Sequence, residues 1–182
     1  MFNYVLLNNR TPIGKFSRSH IRSTKTNSLL NTKVTRYLDE QQVEYRLLPQ
    51  SKPTTTIEDT AKERGIRMSQ MVKCMLLRDM DYNYVLACSP GDHSVDPKKV
   101  RALLQCRRMT CVNIEDVETI TGFAIGTVGP LQLKMNIPII FDHAITQENL
   151  VTISSGDRLA GVALQVDDLI RLVNPTFSDI CK

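Results

Sequence analysis

Residues 70–79 read "QMVKCMLLRD". Six of the seven residues from Met71 to Leu77 are apolar, and the seventh is Lys73. Side chains alternate between faces on a strand, so Met71, Lys73, Met75 and Leu77 share one face and Val72, Cys74 and Leu76 the other. Both faces are apolar, which is the pattern of a central strand buried on both sides. An ammonium there carries a large desolvation cost unless it reaches a partner or a solvated cleft. Two readings stay open from the run alone. The lysine snorkels to the sheet edge, or it lines a pocket and offers a positive charge to an anionic or carbonyl-bearing ligand.

Working outward, "DMDYN" joins this strand to a second one at 83–89 as a hairpin. Upstream, Val34, Tyr37, Leu38 and Gln41 sit at helical spacing, so 31–42 reads as a helix. "VEYRLLP" (43–49) reads as a strand. Thr56 caps a helix over "IEDTAKERG" that Gly65 ends. Downstream, Asp96 followed by Pro97 opens a helix over "PKKVRALLQC", because proline fits the first helical position. "RMTCVN" is a strand, "IEDVETITG" a short helix, and "IPIIFD", "LVTISS" and "GVALQV" three further strands. "DDLIRLV" is a last helix, stopped by Asn174 and Pro175. Strands outnumber helices. The expected fold is a single α/β domain with a mixed, mostly antiparallel sheet curled towards a barrel, with helices around it.

The size and composition fit one soluble globular domain: 182 residues, 42% hydrophobic and 23% charged. No apolar run approaches the ~20 residues of a membrane helix. The five cysteines are odd in number and scattered without a C-x-x-C. That argues against a disulfide framework or a zinc site and for a reduced, cytoplasmic protein. The net charge of +4 is a mild pointer to a polyanionic partner. It resides at the start of the chain, where Arg10, Lys15, Arg18, Arg22 and Lys25 stand without an acidic residue. Residues 1–27 therefore read as a disordered basic tail and 28–182 as the folded domain.

A second informative stretch is "TGFAIGTVGP" (121–130). Gly122, Gly126 and Gly129 permit unusual backbone angles and Pro130 stiffens the exit. No G-K-[ST] follows, so it is not a P-loop, nor is it a G-x-G-x-x-G fingerprint. It is either a plain connection or a loop that presents backbone N–H groups to an oxygen. No G-x-S-x-G or H-E-x-x-H occurs, and His20, His93 and His143 are isolated.

The order "MVKCMLL", "GDHSVDPKKV", "TGFAIGTVGPLQL", "IPIIFD" and "ISSGDRLAGVALQVDDLIRL" resembles the YbaK/EbsC-type aminoacyl-tRNA deacylases. These are related to the editing insertion domain of bacterial prolyl-tRNA synthetase. The likeness runs from about residue 31 to 175. It implies hydrolysis of the ester of a mischarged tRNA, typically tRNA(Pro) carrying Cys or Ala, without a metal or other cofactor. It also implies the acceptor end of tRNA as partner, and prolyl-tRNA synthetase as a further one. In the family the lysine of the "VK" strand is the key residue, here Lys73. The loop from Gly126 through Thr127, Val128 and Gly129 to Pro130 holds the terminal adenosine and the ester. Gly126 and Gly129 are placed with Lys73 in the catalytic set. Asp142, Ser154, Ser155 and Gly156 fall where the family lines the same pocket. The chain departs from the family at Cys74, where relatives often carry Thr, Ser or Asn, and at Leu131-Gln132, where many have a glycine in the second position. "ISSG" replaces the commoner "SAG". The first two changes leave open which amino acid is removed, Ala, Cys, Ser or another, with the "GDH" and "VGP" segments leaning to the synthetase insertion domain, which favours Ala. A different class of function stays in view: a non-catalytic module of the same fold, with the basic tail, "KKVR" (98–101) and "CRR" (106–108) on a phosphate backbone.

Overall fold

Helix α1 (Lys33–Glu40) starts where Thr32 and Thr35 cap each other's backbone N–H groups. It stops two residues short of the expected end. Gln42 takes a positive φ of 55°, and Val43 N–H donates back to the Leu38 carbonyl. Strand β1 accordingly begins at Tyr45 (Tyr45–Pro49). Helix α2 (Ile57–Arg64) is capped by Thr56 and closed by Gly65 as expected. A 3-10 turn at Met68–Gln70 leads into β2 (Val72–Arg78), which pairs antiparallel with β3 (Tyr84–Pro90). Then come α3 (Pro97–Leu103), the two-residue β4 (Thr110–Cys111), α4 (Ile114–Thr121) and β5 (Ile139–Asp142). A 3-10 segment at His143–Gln147 precedes β6 (Leu150–Ser154), β7 (Ala160–Gln165), α5 (Val166–Val173) and β8 (Thr176–Ser178). This computed structural model describes residues 30–182, and the basic tail expected over 1–27 lies outside them.

The mixed α/β character holds, and four of the six strand pairings are antiparallel. The single curled sheet does not. The strands divide into a three-stranded sheet, β1-β7-β6, and a five-stranded one, β4-β2-β3-β5-β8. Among the described residues the only backbone pairing between the two is an isolated parallel bridge, Met71 with Thr152. Closure fails at β2. Its inner edge pairs with β3 along the whole strand, but its outer edge pairs with β4 only at Leu77 and Arg78.

The strand alternation says which groups this leaves. Asp79 N–H donates to Asn83 across the hairpin, and Val112 N–H donates to the Leu76 carbonyl on the other side. Odd-numbered residues of β2 thus turn their backbone groups to β3, and even-numbered ones to the outer edge. Among the described residues no strand lies beside the Cys74 N–H and C=O on that edge.

The larger sheet is buried on both faces, which explains the apolar run. Val72, Leu76, Leu86 and Phe141 pack with Ile153, Val162 and Leu164 of the small sheet and with Leu38 and Leu169. Leu77, Val85 and Ile140 pack on the other side with Val100 of α3 and Ile180. Each fully buried leucine contributes about 1.5–3 kcal/mol relative to exposure, so β2 and β3 anchor both layers. Strand β8 was not read from the sequence: three residues after a proline carry little period, and its pairing partner β5 is distant in the chain.

Candidate active site

A cleft of about 650 Å³ opens along the unpaired edge of β2, between it and the end of β6. That volume suits a small-molecule or nucleoside-sized guest. Its floor is apolar, with Val72, Leu76, Val112, Val117 and Ile153. Lys73 and Cys74 line it, as do Gly126, Val128, Thr152 and Ser154. The wall beyond β6 carries Thr54, Thr55, Arg64 and Arg158.

Lys73 is half-buried, and its Nζ donates to the His93 carbonyl at 2.6 Å. The contact supplies the partner that an ammonium beside an apolar strand requires. Its cross-strand neighbour on β3 is Ser89. Cys74 stands opposite Cys88, with the two sulfurs 3.5 Å apart. Burial pushes the Cys88 thiol well above the ordinary value, and the neighbouring Cys74 adds to it.

The glycine-bearing loop follows from local chemistry. Thr127 N–H and Oγ1 both donate to the Ala124 carbonyl, at 3.0 and 2.8 Å. This closes a turn with Gly126 in third place at φ 80°, the type II pattern, which favours glycine there. Open space surrounds the position a Gly126 Cβ would take, so the backbone angle is what demands glycine. Among the described residues the N–H groups of Gly126, Val128 and Gly129 have no hydrogen-bond partner. Ser154 Oγ donates to the Thr127 carbonyl at 2.7 Å and ties the loop to the end of β6. Gly129 lies on the Ser154 backbone, where a Cβ would sit 3.3 Å from its carbonyl oxygen.

The remaining expected residues stand apart from the cleft. Thr127 turns its side chain inward. Pro130 lines a separate cavity of about 350 Å³ with Tyr37 and Leu131. Ser155 Oγ donates to the Ala160 carbonyl at 2.8 Å and shapes the β6–β7 turn. Gly156, next in that turn, takes φ 89°. Asp142 is buried: Oδ1 accepts from Ala144 N–H at 2.9 Å, and Oδ2 from Ile180 and Cys181 N–H at 2.9 and 3.0 Å. Burial pushes the Asp142 carboxyl up, but these donors together outweigh it and hold it below the usual carboxylate range. The nearby Cys181 thiol is pushed up to about 12, by burial first and by the Asp142 carboxylate second. Sequence reading missed Arg64 and Thr152. Arg64 reads as an ordinary cation ending a helix, and Thr152 as an ordinary strand residue; only the fold brings either to the cleft.

Chemically, the cleft combines an ammonium, a set of unpaired amides and an apolar floor. Such amides can stabilise a developing oxyanion, one donor being worth about 3 kcal/mol. Among the described residues no group of three His, Cys, Asp or Glu side chains could hold a metal ion, and no helix is long and apolar enough to cross a membrane.

A Bacillus licheniformis proline–tRNA ligase is 40% identical over 90 residues, covering 50% of this chain and 16% of the ligase. The chain thus spans only a small part of the ligases it matches. The Enterococcus faecalis protein EbsC, provisionally named a Cys-tRNA(Pro)/Cys-tRNA(Cys) deacylase, is 22% identical over 151 residues, covering 82% of this chain and 92% of that one. A crystal structure provisionally described as a trans-editing enzyme for prolyl tRNA synthetase superposes with a TM-score of 0.72 at 22% identity, over 84% of this chain and 99% of that one. The profile of the family described as "Aminoacyl-tRNA editing domain" matches residues 51–172. With more than half of its length matched, the chain belongs to the aminoacyl-tRNA editing domain family, as a member of the YbaK/EbsC type.

Proposed function

We propose that the chain is a trans-editing deacylase that hydrolyses the ester of a mischarged aminoacyl-tRNA, with Ala- or Cys-tRNA(Pro) as substrate. The observation that carries this reading is the cleft itself. It holds one ammonium, a turn with unpaired amides and an apolar floor, in a chain of the aminoacyl-tRNA editing domain family. An aminoacyl ester is already activated, so a bound water suffices as nucleophile. Water adds to the ester carbonyl, and the amides of Gly126, Val128 and Gly129 receive the developing oxyanion. Collapse breaks the bond to the ribose oxygen, which takes up the proton released by the water and leaves as the free hydroxyl. Lys73 orients the ester end of the substrate, and Ser154 holds the loop. Thr127, Pro130, Asp142, Ser155 and Gly156 act as positioning residues.

The editing unit runs from residue 28 to 182, and works in the cytoplasm on the acceptor end of tRNA, with prolyl-tRNA synthetase as a further partner. The selective logic is one of size. A pocket built for proline discriminates weakly against smaller amino acids, since a methylene is worth only about 1–3 kcal/mol, and a second site removes the errors. The test is deacylation of Ala-, Cys- and Ser-tRNA(Pro) by the wild type and by Lys73→Ala. The wild type should hydrolyse at least one, and Lys73→Ala should remain folded and lose that activity. Retained tRNA binding without turnover of any substrate would refute the deacylase and favour the non-catalytic module.

A further inference from the structure

Arg64 ends α2, yet its guanidinium does not point to open solvent. It lies flat against β7 in the space a side chain at Gly161 would fill, where a Cβ would stand 2.8 Å from Arg64 Cζ. Gly161 is directly opposite Ser154 on β6 and Leu48 on β1. Paired residues on neighbouring strands share a face, so the guanidinium covers the face from which Ser154 and, two residues earlier, Thr152 project.

The orientation of Arg64 is enforced. Its Nε donates to Gln50 Oε1 at 2.7 Å. Gln50 is buried, and its own amide donates to the Lys52 carbonyl and to Thr54 Oγ1. One edge of the guanidinium is thereby used to fix its plane. Among the described residues its η N–H groups have no hydrogen-bond partner, and no carboxylate pairs with it. Leaving such donors half-buried without a counter-charge is costly. A second unmet group lies in the same cleft. Thr152 is 2% exposed, and among the described residues its Oγ1 has no partner. Among the described residues the one acidic side chain lining the cleft, Asp157, spends Oδ1 on the Leu159 N–H at 2.7 Å, while Lys73 and Arg158 add positive charge.

We propose that Arg64 is a binding residue for a backbone phosphate of the RNA 3′ end, taken by the free edge of its guanidinium. The identity of the RNA rests on the deacylase reading above. On an aminoacylated 3′ end the phosphodiesters are the only anions, because the amino acid's carboxyl is tied up in the ester and its amino group is cationic. A planar fork of donors matches phosphate geometry better than a single ammonium does.

The test uses the full chain and an uncharged RNA hairpin with a single-stranded 3′ CCA end, titrated over a range of NaCl concentrations. Arg64→Gln should weaken binding about tenfold and make the log–log salt dependence shallower by about 0.7, the increment for one phosphate contact on a single strand. Arg64→Lys should keep the slope and recover only part of the affinity. Gly161→Ala keeps the charge but crowds the guanidinium out of its place. It should weaken binding when Arg64 is present and change nothing further in Arg64→Gln. In deacylation, Arg64→Gln should raise KM and leave kcat close to wild type. A folded Arg64→Gln with wild-type affinity and salt slope would overturn the proposal. If that variant fails to fold, the proposal falls should Gly161→Ala bind the hairpin like wild type. It also falls if Gly161→Ala weakens binding equally with and without Arg64. The two readings fail separately: Arg64-dependent hairpin binding without turnover of any mischarged tRNA retires only the deacylase, and turnover with Arg64-independent binding retires only this site.

Discussion

Replacing Asp142 by Asn tests whether one buried carboxylate holds the C-terminal segment to the end of β5. Three backbone N–H groups converge on its two oxygens, from Ala144, Ile180 and Cys181. Asparagine keeps one acceptor oxygen. Whichever way its amide turns, at least one N–H then faces another donor, and the surviving bonds lose their charge assistance. A hydrogen bond to a charged group is worth about 1.5–3 kcal/mol, and a buried donor left unmet costs about 1–3. The expected loss is about 3 kcal/mol. With a urea slope of about 2 kcal/mol per molar, the unfolding midpoint should fall by about 1.5 M. The chain contains no tryptophan, so far-ultraviolet circular dichroism is the natural probe. The gap should also depend on pH. The folded carboxyl titrates below its unfolded value of about 4. Its contribution is therefore complete above that pH and is lost as pH falls through the folded value. Wild type and variant should draw together as pH falls below about 4. Equal midpoints at pH 7, or a gap that widens as pH falls below 4, would overturn this account.

Three other outcomes are expected. Lys73→Ala should lower kcat/KM for the best mischarged tRNA by about a hundredfold or more, the order lost with one preorganised electrostatic donor, with an unchanged thermal midpoint; a loss of a few fold only would remove Lys73 from the catalytic set. Gly126→Ala should cost about 1–2 kcal/mol in urea unfolding, because φ 80° is strained for alanine although space is open, and should slow deacylation by moving the loop amides. Among Cys74, Cys88, Cys106, Cys111 and Cys181, alkylation at pH 8 should modify the exposed Cys111 first. Cys88 and Cys181, buried and with thiols pushed up, should react only on unfolding, which peptide mass mapping reads directly.

Much of the secondary structure was legible in the chain because its signals are local. Thr56 and Gly65 bracket α2, Asp96 and Pro97 open α3, and the Met71–Leu77 run marks a strand covered on both faces. The resemblance carried by the lysine strand and the glycine loop led to the right family. Helix ends were less legible where a single residue turned the chain, as Gln42 and Gln105 do with φ of 55° and 52°. A glutamine in the left-handed region leaves no trace in apolar spacing.

Local signals in the chain thus specify the set of elements and a lysine in need of a partner. How the strands share their edges is settled only in three dimensions. Whether β2 closes onto β6 depends on groups far apart in the chain, and its open edge makes the cleft. The same applies to side chains whose role comes from a distant contact. Asp142 bonds residues 38 and 39 positions later, and Arg64 rests on a glycine of the small sheet, 97 positions later. Periodicity and capping act over a turn or two of chain; desolvation and hydrogen-bond satisfaction act wherever the fold brings groups together.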